Sequence, residues 1–169
     1  MKIYVDNNIL SAIIGNQFTV DDGNAMQKLA LSDHEFITSQ ITKQEMDKAT
    51  VPKIKGAALF IYKIFGGEKF LNKETYSASG FGDALFGAVP WGGGEAEQPS
   101  LSLLRQAFEP DDARHIFQAL SSHSDFFLTL DEKTILKRYR SNYMNMQAFC
   151  TKGKLKIVNP KELIKELQL

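Results

Sequence analysis

KIYVDNNIL (residues 2–10) opens with a short apolar run, Ile3 to Val5, that stops on a carboxylate, Asp6, and passes through two asparagines into a second apolar run. DFFLTLDEK (125–133) repeats the arrangement, with Phe126, Phe127, Leu128 and Leu130 leading into Asp131. Each stretch has the length and composition of a buried strand with a polar end. Two such strands that both finish on aspartate point to one site at one edge of a sheet.

The segments between them read largely as helices. Apolar residues of 9–14 follow the first strand at once, and a helical stretch runs from about Asp22 to Leu31, with Asp21 and Asp22 as acids at its start. EFITS (35–39) is a second strand. TKQEMDKA (42–49) has a Thr-x-x-Glu capping-box signature, which sets a helix start at Thr42 with Glu45 in its first turn. KIKGAALFIYKIF (53–65) is helical by spacing and ends at Gly66 and Gly67. SLSLLRQAF (100–108) and PDDARHIFQAL (110–120) follow; in the second, Pro110 suits a first helical position and Ala113, Ile116, Phe117 and Leu120 form one apolar stripe. After the strand at 125–130 come a longer helical stretch from about 132, a strand at 154–159 and a last helix over 161–168, opened by Pro160.

One stretch breaks the pattern. YSASGFGDALFGAVPWGGGEAEQP (76–99) is rich in glycine and has no sustained period, so it is expected to be a long loop or insertion. Its Phe81, Phe86 and Trp91 could clamp RNA or a partner, although a surface loop with partly buried aromatics accounts for them as simply.

Strands alternating with helices define an α/β domain with a central, mostly parallel sheet flanked by helices, and 169 residues suit a single domain, 1–169. In such sheets ligands bind beyond the carboxyl ends of the strands, where the strand order reverses. Asp6 and Asp131 are expected there. Singly, each could be only a helix cap. Asp112, on the Ile116 side of its helix, and Glu45 bring the acids to four, from four separate segments.

Composition excludes several classes. One cysteine, Cys150, and three scattered histidines supply neither a disulfide framework nor a zinc site. That favours a reducing compartment, and with no targeting segment or membrane span evident the expectation is a cytoplasmic protein with no membrane contact. Twenty basic residues balance twenty acidic ones. They are unevenly spread: between Glu132 and Lys156 stand Lys133, Lys137, Arg138, Arg140, Lys152, Lys154 and Lys156 against Glu132 alone, a stretch at +6 in a chain of net charge +0. A basic face beside an acidic pocket would suit a phosphate backbone laid over carboxylates. A solvated helix face with a lysine-rich edge strand is the simpler account. Tyr139 and Tyr143, interleaved with Lys137, Arg138 and Arg140, fit base stacking or ordinary packing. His115 reads as a packing or helix-surface residue, since no second histidine stands at ligand spacing.

The ordered series IYVDNNIL, SQITKQEM, DDARHI, FFLTLDEK and KIVNPKEL resembles the PIN-domain nucleases over nearly the whole chain. The resemblance implies a single PIN-like domain in which Asp6, Glu45, Asp112 and Asp131 bind Mg²⁺ or Mn²⁺, with Thr129 as a supporting hydroxyl among the catalytic residues. Asp111 competes with Asp112 for the third place; Asp112 is favoured because Ala113 and the stripe then fall where the family has them. Asn7 departs from the family's small hydroxyl residue, and Asn8 keeps its polar neighbour. Asn8, Lys137, Arg138 and Arg140 become candidates for binding substrate. Carboxylate oxygens suit these ions, which can activate a water and stabilise charge at an attacked phosphate. The implied activity is that of a metal-dependent endoribonuclease leaving 5′-phosphate and 3′-hydroxyl ends, in many relatives the toxin of a toxin–antitoxin pair, a homodimer restrained by a small antitoxin protein. The alternatives are an idle PIN-like module that binds nucleic acid or protein, its acids serving only as caps, and a nuclease acting on DNA through the same site.

Overall fold

The computed structural model describes residues 1–48, 50, 52–64, 73–78 and 94–169. It is an α/β protein with a four-stranded, all-parallel sheet: β1 (Lys2–Val5), β2 (Glu35–Ile37), β5 (Phe126–Leu128) and β6 (Lys156–Val158), in the order β2-β1-β5-β6. β1 pairs with β2 on one side (Tyr4 opposite Ile37) and with β5 on the other (Tyr4 opposite Phe127). The order therefore reverses between β1 and β5, beside Asp6 and Thr129.

Both faces of the sheet are covered, which is why the strands are apolar at consecutive positions rather than alternate ones. Tyr4, Ile37, Phe127 and Ile157 face one layer, made by α5 (Pro99–Ala107), α6 (Pro110–Ser121), α7 (Ile135–Arg140) and α8 (Met146–Lys152). Ile3, Val5, Phe126, Leu128 and Val158 face the other, made by α1 (Asn7–Gly15), α2 (Val20–Ala30), α3 (Gln40–Asp47), α4 (Pro52–Ile64) and α9 (Pro160–Glu166). The Tyr4 and Phe127 rings stack across the β1–β5 ladder, 5.5 Å between centroids and 10° from parallel. Each fully buried side chain of this size contributes about 1.5–3 kcal/mol. Cys150 lies inside the first layer, where burial pushes its thiol up to about 12.

Local signals set most boundaries. Thr19 caps α2 by accepting the Asp22 N–H at 3.1 Å, and Asp21 and Asp22 fall in its first turn as expected. α1 ends on Asn16 in the left-handed region (φ 51°), a conformation asparagine tolerates better than most residues. Asn159 and Glu162 form a reciprocal capping box at α9, with bonds of 2.8 and 3.0 Å.

Four expectations change. The strands at 125–130, 35–39 and 154–159 are shorter, three residues each. The long helix expected from 132 is two, α7 and α8, separated by Asn142, Met144 and Asn145 at positive φ. The α6 stripe is broader than predicted, because α5 and the sheet bury it at every position from His115 to Ala119. Finally, the glycine-rich stretch is not loop at its ends: β3 (Thr75–Ala78) and β4 (Gly94–Glu97) form an antiparallel pair. Arg114 of α6 holds the base of this arm through Glu74, at 2.9 Å. Phe81, Phe86 and Trp91, like the Gly66–Gly67 helix stop, lie outside the described residues. No helix among the described residues is long and apolar enough to cross a membrane.

Candidate acidic site at the strand ends

Asp6 leaves β1 with its N–H still in the ladder, donating to the Leu128 carbonyl at 3.0 Å. It occupies the N-cap position of α1 yet makes no side-chain cap bond. Its carboxylate, 5% exposed, instead accepts the Thr129 hydroxyl at 2.7 Å. Thr129 Oγ1 accepts in turn from Asn8 Nδ2 at 2.8 Å and from the Asp131 N–H at 3.1 Å, and Asn8 Oδ1 accepts the Leu130 N–H at 3.0 Å. One hydroxyl thus uses its proton and both lone pairs to join the ends of β1 and β5. Asn8 is bound up in this junction, so the DNN that follows the first strand stitches two strand ends together.

Asp131 has a double character. Its Oδ1 accepts the N–H groups of Lys133 (3.0 Å) and Thr134 (2.9 Å), and the Thr134 hydroxyl donates to Oδ2. Burial pushes this carboxyl up, but those donors more than offset it and hold the group below the ordinary aspartate range. Asp131 therefore closes the turn that leads into α7, whose N-cap is Thr134, rather than capping a helix from 132. This role coexists with a charge felt at Asp112.

Glu45 corrects the sequence-based helix start. Ser39, not Thr42, is the N-cap of α3, accepting the Ile41 N–H at 3.3 Å. Thr42 is buried and pairs its hydroxyl with Thr38 at 2.6 Å, while Thr38 donates to the Val5 carbonyl at 3.1 Å. The Thr42–Glu45 capping box does not form, because β2 ends early and α3 begins before Thr42. Glu45 is left inside the helix, its Oε1 3.3 Å from Nε2 of His115.

α6 carries the remaining acid. Asp111 is exposed and lies 3.8 Å from Arg114, whereas Asp112 is half-buried and faces the cluster. Burial, reinforced by the charges of Asp6 and Asp131, raises the Asp112 carboxyl to about 6. Asp6 is itself raised, by burial first, against the relief of His115 and Thr129 and with Glu45 adding repulsion. Asp6 thus feels Glu45, and Asp112 feels Asp6 and Asp131, at the carboxyl edge of the sheet, at the reversal of strand order.

His115, by sequence patterning a packing or helix-surface residue, is buried and stands beside Asp6, Glu45 and Asp112. It is 2% exposed, its Nδ1 lies 2.9 Å from the Tyr4 hydroxyl, and that hydroxyl lies 2.6 Å from Ser39 Oγ. Burial opposes its charge, but Tyr4, Glu45 and Asp6 raise the imidazole well above the usual histidine range. A signal did exist: His115 is three residues from Asp112, on the same side of α6.

The donors suit a hard divalent cation by type, since they are carboxylate oxygens and the raised Asp112 carboxyl marks negative charge without a full counter-charge. As placed, no three His, Cys, Asp or Glu side chains among the described residues converge closely enough to hold an ion directly. Mg²⁺ usually keeps several of its waters, so a cluster that reaches an ion partly through water fits it.

The basic segment is less free than its charge suggested. Arg140 bridges Glu132 and Glu162, the latter at 2.8 Å, and Asn159 Nδ2 donates to the same Glu132 at 2.6 Å. Arg138 donates to the Ala107 carbonyl at 2.6 Å, with Glu109 at 4.0 Å. Tyr139 is core, 8% exposed, which removes it from base stacking, whereas Tyr143 is 49% exposed. Lys137 is exposed. Of the three cations expected to meet substrate, Arg140 is committed to holding α7 against α9.

Comparisons with protein-family models, with curated proteins and with solved structures found no match.

Proposed function

We propose that the chain is a metal-dependent nuclease of the PIN type that hydrolyses RNA phosphodiester bonds. One observation carries this: a buried Asp6, tied through Thr129 to the end of β5, lies beside Glu45 and Asp112, and Asp112 feels Asp131 as well, where the strand order reverses. Structural caps need no such convergence, because a cap works alone at its own helix.

Asp6, Glu45, Asp112 and Asp131 would hold Mg²⁺ or Mn²⁺, which supplies an activated water and charge stabilisation at the phosphate. Thr129 orients the Asp6 carboxylate by donating to one of its oxygens. Asn8 fixes Thr129 in that role. Lys137 approaches the substrate backbone as a point charge, and Arg138 lies at the junction of α5 and α6, on the Ala107 carbonyl and beside Glu109. Products with 5′-phosphate and 3′-hydroxyl ends, work in the cytoplasm, and a toxin role as a homodimer restrained by a small antitoxin protein belong to the same proposal and rest on the resemblance.

The test is cleavage of end-labelled RNA and a matched DNA with Mn²⁺ or with EDTA. Metal-dependent cutting of RNA is expected, and DNA cut equally well would make the protein a DNA-directed nuclease with the same site. Binding without cutting in any metal would leave an idle module. In the same system Lys137→Ala should lower the slope of log binding constant against log salt by about 0.7, the share of one phosphate contact on a single strand. An unchanged slope would return Lys137 to a solvated face.

A further inference from the structure

We propose that His115 is a positioning residue of the acidic site: its ring sets the Glu45 carboxylate beside Asp6, and through Tyr4 and Ser39 locks together three of the segments that carry the acids. The inference rests on the nuclease reading and adds to it a residue that does not bind metal itself.

The contacts have a definite direction. Nδ1 of His115 meets the Tyr4 hydroxyl at 2.9 Å, and this hydroxyl meets Ser39 Oγ at 2.6 Å. The opposite ring nitrogen, Nε2, is thereby aimed at Glu45 Oε1, 3.3 Å away. Nε2 is buried and makes no aligned hydrogen bond, so the approach is a close polar contact rather than a closed link. A nitrogen facing a carboxylate in this way carries its proton, whichever partner donates along the Tyr4 side.

Each end of the chain of contacts belongs to a segment that bears an acid. Ser39 is the N-cap of α3, which holds Glu45. Tyr4 precedes Asp6 by two residues on β1, and its ring is clamped by the stack on Phe127 and an edge contact with His115 at 6.0 Å. His115 is on α6, three residues beyond Asp112. Outer-shell partners of this kind, when removed, typically cost 10–100-fold in metal affinity.

The variant His115→Gln removes the ring, and Tyr4→Phe keeps the stacked aromatic while deleting the hydroxyl that orients it. Mn²⁺ affinity, read by electron paramagnetic resonance or calorimetry on the full chain, is expected to fall about 10–100-fold in His115→Gln and in the same direction in Tyr4→Phe. In a Glu45→Gln background, His115→Gln should cause a clearly smaller further loss, because the carboxylate it positions is gone and only the Tyr4–Ser39 link remains to be broken. A merely structural histidine would lower affinity equally in both backgrounds, and that result overturns the proposal. So does a His115→Gln or a Tyr4→Phe protein that binds Mn²⁺ as tightly as the wild type. A wild type that binds no Mn²⁺ at all overturns the nuclease reading, and this inference with it.

Discussion

Asp6→Asn is expected to lower metal-dependent RNA cleavage by about 10²–10⁴-fold while leaving the protein folded. Removing one charged ligand forfeits several kcal/mol of charge stabilisation in the transition state, and each ~1.4 kcal/mol is a factor of ten in rate. The fold should tolerate the change, because the asparagine oxygen can still accept the Thr129 hydroxyl and one buried charge is gone from a crowded site. Asp111→Asn is the matched control: exposed and facing Arg114, it should leave cleavage within about twofold. The assay is turnover of labelled RNA with Mn²⁺, alongside a thermal melt of each protein. Asp6→Asn activity within threefold of wild type would remove Asp6 from the chemistry and leave it as the junction between β1 and β5.

The second large effect reverses sign with metal. The Asp112 carboxyl sits at about 6 in the folded protein against an ordinary 3.8. An acid raised in this way binds its proton more tightly when folded, so its contribution is intact at low pH and is lost as pH rises through about 6. The shift alone would be worth about 3 kcal/mol, and solvent screening of a half-buried group reduces it to roughly 1–2 kcal/mol. Asp112→Asn should therefore melt roughly 2–8 °C above wild type at pH 7.5 in EDTA, with the gap narrowing below pH 6 and closing only near pH 4, the unfolded carboxyl's own range. Mn²⁺ at about 100 times its dissociation constant adds about 2.7 kcal/mol to a protein that binds it only when folded. Wild type should gain most of that and the mutant less, so their order crosses. An Asp112→Asn protein that is less stable than wild type without metal would mean that the carboxylate supports the fold, which ends the case for strain in the cluster.

The parts of this molecule that were legible in the sequence are those whose signal is local. Ile3 to Val5 and Phe126 to Leu128 announce strands by composition, and the aspartates after them announce an edge. α6 shows itself through Pro110 and its stripe. The errors arise where a distant partner decides. Thr42 and Glu45 match a capping box as well as Ser39 matches an N-cap, and only the end of β2 chooses between them. Arg140 looked like a cation for substrate because Glu162 is far along the chain. His115 was weighed by its spacing from other histidines, although its partners are a tyrosine on β1 and a glutamate on α3. The pairing of Thr75–Ala78 with Gly94–Glu97 was hidden by a glycine-rich stretch with no period.

The Thr129–Asp6 bond spans 123 positions of the chain. Asp6 is synthesised well before β5, yet its burial waits for that strand, which must slide in beside β1 from a distant part of the chain. Pairings so remote form late and slowly compared with local ones. Until then Asp6 is an ordinary solvated carboxylate, and neither Asp112 nor Asp131 has a partner to repel. The acidic cluster is thus a property of the paired sheet: a chain in which β5 has yet to join β1 carries the separate acids but not the cluster.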